Sequence, residues 1–102
     1  MLQLRVVVDT TVDEGKWVRL DAFTLVVNAH GGLLEMSLKV NKEQKLLLTN
    51  PAVSAQEWCR VVGVRKSQDG YFAVAFEFDS PAPQFWPIAL PPADWKMVQA
   101  EN

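Results

Sequence analysis

Apolar residues recur at every second position through most of this sequence. In residues 71–79 four apolar side chains alternate with polar or small ones: Phe72, Val74, Phe76 and Phe78. A period of two is typical of a β-strand that buries one face. Similar runs start near Leu2, Lys16, Leu33, Lys45 and Glu57. Because short polar turns join these runs and no long amphipathic helix interrupts them, we expect an all-β barrel or sandwich.

One of the runs, residues 16–28, changes phase along its length. Its first half has apolar residues at even positions up to Ala22, whereas Phe23, Leu25 and Val27 occupy odd positions. A change of phase inside one strand indicates a β-bulge or a sharp bend. We therefore expect a bulge near Ala22, of the kind that barrels use at their corners.

The length of the chain limits it to one domain, and its net charge limits the classes of partner that it can bind. The 102 residues suit a single domain, and the formal net charge of -2 argues against duplex DNA or an anionic membrane as a partner. The only cysteine, Cys59, lies in an apolar run and is expected in the core. No uncharged run is long enough to span a bilayer, and the start lacks a signal-peptide pattern. We expect a cytoplasmic protein.

The sequence changes character after residue 80. Residues 81–96 are rich in proline and tryptophan. Three large aromatic side chains belong to this segment: Phe85, Trp86 and Trp95. They carry too much apolar area to remain in water. We expect residues 1–80 to form the barrel, residues 81–96 to form a short, partly helical strap across one open end, and residues 97–102 to fray.

Two adjacent glycines follow the second run, in the segment Asn28–Leu34. Glycine adopts backbone angles that a side chain forbids, so we expect a sharp turn at Gly31 and Gly32. Together with Asn28 and His30, these residues have the composition of a polar ligand site at the mouth of a barrel. The same residues also suit an ordinary hairpin corner, and both interpretations stay open.

Residue types that carry catalysis are scarce. The single histidine and the single cysteine lie far apart in sequence, and no cluster has metal-ligand spacing. Glu77 and Asp79 share one strand face and are either a carboxylate pair or part of a solvated edge. We therefore expect no enzymatic activity, cofactor or metal. Four tryptophans form either a base-stacking surface or core and strap packing: Trp17, Trp58, Trp86 and Trp95.

Four segments in this order resemble a PilZ domain over nearly the whole chain. They are TLVVNAHGGLL at residues 24–34, CRVVGV at 59–64, FAVAFEF at 72–78, and the ending FW…PPxDW at 85–95. The resemblance implies a six-stranded antiparallel β-barrel. It also implies that typical members bind the bacterial second messenger cyclic di-GMP. They do so through an R-x-x-x-R motif before the first strand and a (D/N)-x-S-x-x-G motif on the barrel.

The sequence departs from both motifs. Its arginines are Arg5, Arg19, Arg60 and Arg65, and no two of them are four residues apart. The expected first strand starts close to Met1, which leaves no segment for R-x-x-x-R. In the barrel motif Asn28 matches the first position, His30 replaces the serine, and Gly32 takes the last position if a one-residue gap is allowed. Two missing arginines weaken nucleotide binding by roughly a hundredfold or more.

Two functions follow from the resemblance and its departures. The first is a PilZ-like adaptor that is degenerate in cyclic di-GMP binding and contacts a protein partner through Phe85, Trp86 and Trp95. The alternative is a true cyclic di-GMP receptor with a rearranged site. That site consists of Arg5, Arg19, Asn28, His30, Gly31 and Gly32. In a competing interpretation, Arg5 and Arg19 form surface ion pairs with acids such as Asp21 or Glu14. The sequence leaves the oligomeric state open.

Overall fold

Six antiparallel strands close into one β-barrel. The structure, a computed structural model, describes residues 3–86. The strands are β1 (Arg5–Val12), β2 (Lys16–Asn28), β3 (Gly31–Met36), β4 (Lys45–Asn50), β5 (Ala55–Lys66) and β6 (Phe72–Phe78). Their order around the barrel is β1-β2-β3-β6-β5-β4, and β4 pairs with β1 to close it. The all-β prediction is confirmed, with a barrel and not a sandwich, and so is the count of six antiparallel strands.

Side chains at alternate positions of every strand meet inside the barrel. This core includes Val6, Val8, Ala22, Leu34, Met36, Leu46, Leu48, Cys59, Val61, Val74 and Phe76. The burial of Cys59 agrees with the sequence prediction. Removal of these apolar surfaces from water is the main force that closes the barrel, since each fully buried aliphatic side chain contributes about 1.5–3 kcal/mol.

The β-bulge in β2 lies two or three residues later than predicted. The register between β2 and β3 shifts between Thr24 and Val26, not near Ala22. Thr24 is fully buried, and its Oγ1 accepts a hydrogen bond from the Leu4 amide at 2.8 Å. The even positions therefore face inward as far as Thr24, and Phe23 is exposed. The bulge itself is confirmed, but its predicted position was wrong because a buried threonine with a hydrogen-bond partner looks polar in the sequence.

The described part of the C-terminal segment closes one end of the barrel. A single 3-10 turn at Pro83–Phe85 brings Phe85 and Trp86 into the core, where each is 2% exposed. The ring of Phe85 lies 5.3 Å from that of Phe78 and 4.7 Å from that of Trp86. The prediction that Phe85 and Trp86 form a partner surface is therefore wrong for these two residues. Trp95 and residues 97–102 lie outside the described range.

No helix within residues 3–86 is both long enough and apolar enough to cross a membrane.

Candidate functional site

The corner between β2 and β3 is a tight hairpin in which Asn28 supports the backbone. Asn28 pairs with Gly31 across a two-residue connection of Ala29 and His30. The Asn28 Oδ1 atom accepts hydrogen bonds from the His30 amide at 2.8 Å and the Gly31 amide at 3.1 Å. An asparagine side chain that satisfies two turn amides is a structural element of the hairpin. The His30 side chain is exposed beside it.

Gly31 and Gly32 are strand residues and not turn residues. Among the described glycines, a positive φ occurs only at Gly15 and Gly70. The predicted sharp turn at the glycine pair is therefore wrong. Gly31 is needed because a Cβ atom there would overlap the carbonyl oxygen of Phe76. A Cβ atom on Gly32 would overlap the carbonyl oxygen of Val26. Close approach of neighbouring backbones, not backbone angle, requires glycine here.

Residues from the C-terminal half of the chain donate hydrogen bonds to the backbone carbonyl groups of this corner. Trp86 Nε1 donates to the Asn28 carbonyl at 3.0 Å. The amide of Ala82 donates to the Ala29 carbonyl at 2.8 Å, and the amide of Phe78 donates to the His30 carbonyl at 2.8 Å. These bonds hold the corner in one conformation. Any ligand at this corner meets exposed side chains and not free carbonyl groups of these three residues.

An open groove of about 500 Å³ runs from this corner over the outer face of the barrel. Its floor is apolar and includes Val26, Leu33, Val62 and Ala75. Its polar lining comes from Asn28, His30 and Glu77. Four of the six predicted site residues therefore lie together: Asn28, His30, Gly31 and Gly32. This arrangement can accommodate a planar or apolar group with a polar end.

Arg60 is the nearest arginine to this groove in the strand pairing, and it was not among the predicted site residues. Gly31 pairs with Glu77, and Glu77 pairs with Arg60, so the three lie in one row across β3, β6 and β5. Arg60 Nη2 donates to Glu77 at 2.7 Å, and Nη1 donates to Glu43 at 3.2 Å. Two carboxylates therefore neutralise this guanidinium. The row becomes visible only when the strand order is known, since these residues are far apart in sequence.

Arg5 and Arg19 lie away from the corner. Arg5 pairs with Asp21 at 2.9 Å, and Arg19 makes two hydrogen bonds to Asp9 at 2.8 and 3.3 Å. Arg19 precedes Asn28 by nine positions in β2, which corresponds to about 30 Å of strand. The structure does not bring these arginines together with Asn28. Their ion pairs agree with the competing interpretation, although the acceptor of Arg19 is Asp9.

Glu77 and Asp79 each have a separate cation. The Glu77 carboxylate accepts from Arg60, and both Asp79 oxygens accept from Lys45 Nζ, the longer contact being 2.7 Å. All four side chains are partly exposed. Their geometry matches the solvated edge and not a carboxylate pair. Within the described range, no group of three His, Cys, Asp or Glu side chains could hold a metal ion.

The tryptophans divide into a buried one and an exposed pair. Trp86 is in the core, whereas Trp17 is 59% exposed and Trp58 is 42% exposed. The rings of Trp17 and Trp58 meet edge to face, with centroids 6.5 Å apart. They extend towards each other over β1 and β4, which lie between their own strands. Core and strap packing is thus correct for Trp86 and wrong for Trp17 and Trp58. Trp95 is outside the described residues.

Comparisons with protein-family models, with curated proteins and with solved structures found no match to this chain.

Proposed function

We propose that this chain is a PilZ-like signalling domain that binds cyclic di-GMP weakly or not at all and acts as an adaptor for a protein partner. The exposed Trp17–Trp58 pair carries the adaptor part of this proposal. Tryptophan is enriched among the residues that dominate binding at protein interfaces. Two tryptophans that remain exposed on a barrel with a well-filled core have no role in that core.

The charge around the corner supports weak nucleotide binding. Cyclic di-GMP carries two phosphates, and family members hold it with arginines. No lysine or arginine lines the groove in the described part of the chain. The nearest arginine in the strand row, Arg60, already forms ion pairs with Glu77 and Glu43. To bind a phosphate, Arg60 would have to leave both carboxylates, and Glu77 would then repel the ligand.

A second candidate function, the nucleotide receptor, is favoured by the groove itself. Asn28, His30, Gly31 and Gly32 share it with an apolar floor on which a base can lie. In this case Arg60, and not Arg5 or Arg19, supplies the cation. An Arg60→Ala variant would then lose binding, whereas Arg65→Ala, five residues further along β5, would retain it.

A capture experiment with matched variants tests the adaptor role. The tagged chain is cross-linked in extract of the cells that produce it, and recovered proteins are quantified by mass spectrometry. We expect at least one protein to be recovered with the unmodified chain and to be lost with the Trp17→Ala/Trp58→Ala double variant. Tyr71→Ala is the control, since Tyr71 is also exposed but lies at the β5–β6 turn. The proposal is wrong if recovery is the same for all three chains.

A further inference from the structure

The first half of β2 has a free edge. β1 pairs with β2 from Lys16 to Phe23, but β3 pairs with β2 only from Phe23 onward. Within residues 3–86, the segment 16–22 therefore has a strand neighbour on one side only. The described backbone hydrogen bonds include none from a loop to this segment. A free strand edge is a template for pairing with another chain.

The alternation of hydrogen-bonded positions between β1 and β2 identifies which backbone groups of β2 lie at the free edge. The Thr24 amide donates to the Leu4 carbonyl at 2.9 Å, so Thr24 exchanges bonds with the β1 side. Hydrogen-bonded positions alternate in an antiparallel pair, and the β1–β2 register continues without a shift. Val18, Leu20 and Ala22 therefore also bond to β1. The N–H and C=O groups of Trp17, Arg19 and Asp21 point away from β1, towards the free edge.

The side chains of Arg19 and Asp21 form a self-complementary pair at this edge. On the outer face of β2 the order is Trp17, Arg19, Asp21 and Phe23, or aromatic, cation, anion and aromatic. All four are exposed. Rotation by 180° about Leu20 places position 19 opposite position 21 of the rotated strand, so the cation of each strand meets the anion of the other.

We propose that β2 pairs antiparallel with β2 of a second copy of this chain, about a two-fold axis at Leu20. Arg19 of each copy then lies opposite Asp21 of the other, and both positions exchange backbone hydrogen bonds. The two side chains are 70% and 58% exposed, so their ion pairs with Asp9 and Arg5 leave room for a further partner. Charges alternate along the row from Asp9 to Arg19 to Asp21 of the second copy.

The charges select this register over its neighbour. An axis at Arg19 would place Arg19 directly opposite itself, and like charges in facing positions destabilise a strand pair. Glu35 of β3 already occupies the outer edge of Phe23, so the paired segment ends before Phe23 and leaves out Trp17 of the second copy. This limit makes the interface small, so we expect a reversible dimer and not a permanent one. The dimer proposal is independent of the adaptor proposal, since it holds whether or not the Trp17–Trp58 pair binds a protein partner.

A charge-swap experiment tests the proposal by sedimentation velocity over a wide range of concentration. We expect the unmodified chain to pass from monomer to dimer as its concentration rises. Arg19→Asp and Asp21→Arg should each stay monomeric, because like charges then face each other at both positions. An equimolar mixture of the two variants should form a heterodimer, since every facing pair is again opposite in charge. Circular dichroism of each variant checks that the barrel is retained.

A chain that stays monomeric at every concentration would overturn the proposal. This is also the result expected if an extended peptide of another protein, and not a second copy of this chain, pairs with the edge. Dimers that persist in both single variants would also overturn it, because the contact would then lie elsewhere. Hydrogen exchange gives an independent readout: the amides of Arg19 and Asp21 should become protected as the dimer forms.

Discussion

At the residue scale, Gly31 shows how the packing of neighbouring strands can require a glycine. Its neighbours on β6 come so close that the carbonyl oxygen of Phe76 occupies the position of a Cβ atom. The sequence indicated a special backbone at this glycine but not its cause. A positive φ and a close backbone approach both favour glycine, and only the position of β6 distinguishes them. Asn28 was selected as a ligand-binding candidate, and in the structure its side chain accepts hydrogen bonds from the turn amides.

Substitution of Gly31 by alanine tests this explanation. The new methyl group would push β3 away from β6, so we expect Gly31→Ala to lower the free energy of unfolding by about 2–4 kcal/mol. Gly63→Ala is the matched control, because the nearest atom to its added Cβ is 3.9 Å away and its φ is not positive. We expect that variant to be neutral or more stable by up to about 1 kcal/mol. Urea unfolding of both variants measures the difference, and equal stabilities would contradict the account.

The buried thiol of Cys59 makes the free energy of unfolding depend on pH in the alkaline range. Burial, and secondarily the negative charge of Asp79, raises the pKa of Cys59 from 9.0 to about 12. Below pH 9 the folded and unfolded chains both keep the thiol proton. Between about pH 9 and 12 the unfolded chain loses it first, so the free energy of unfolding falls as the pH rises.

We expect Cys59→Ala to reduce this alkaline loss. The variant is less stable at neutral pH because it leaves a small cavity, but its free energy of unfolding should decline less steeply above pH 9. Denaturant unfolding at a series of pH values from 7 to 11 gives both slopes. Parallel slopes for the two chains would show that Cys59 contributes nothing to the alkaline transition.

At the scale of elements, the described C-terminal turn and the outer tryptophan pair have opposite roles. The 3-10 turn at Pro83–Phe85 is fixed by Asn50, whose Nδ2 donates to the Phe85 carbonyl at 2.7 Å. Composition alone made the whole segment a candidate surface, since proline and aromatic residues occur in both cores and interfaces. The deciding fact is the ring contact between Phe85 and Phe78, which depends on where the barrel end lies.

Alanine substitutions separate the two roles. Phe85→Ala removes a buried ring, and we expect it to cost about 3–5 kcal/mol of unfolding free energy. Trp17→Ala removes a larger but exposed ring, and we expect a cost of no more than about 1.5 kcal/mol, mainly from its edge contact with Trp58. Thermal unfolding followed by circular dichroism provides the comparison. A larger loss for Trp17→Ala than for Phe85→Ala would reverse the assignment of core and surface.

At the scale of the whole molecule, strand periodicity predicted the six strands well but gave no order for them. Alternation is local, so the runs at residues 2–9 and 71–79 were recognisable individually. The barrel order β3-β6-β5 brings Gly31, Glu77 and Arg60 into one row, and no local pattern contains that information. The predicted site residues at the corner do lie together, whereas the distant arginines do not join them. A site that combines residues from several strands can be predicted only when the strand order is known.

Titration of cyclic di-GMP into the 102-residue chain, followed by calorimetry and by thermal shift, tests whether this domain binds the nucleotide weakly or not at all. We predict no saturable heat with ligand at about 100 μM and no measurable change in Tm, because no lysine or arginine is among the described residues that line the groove. Ligand at a hundred times its Kd would stabilise a true receptor by about 2.7 kcal/mol and raise the Tm of a domain this size by roughly 10 °C. Submicromolar binding with such a shift would contradict the adaptor proposal and make the groove at Asn28 and His30 a nucleotide site.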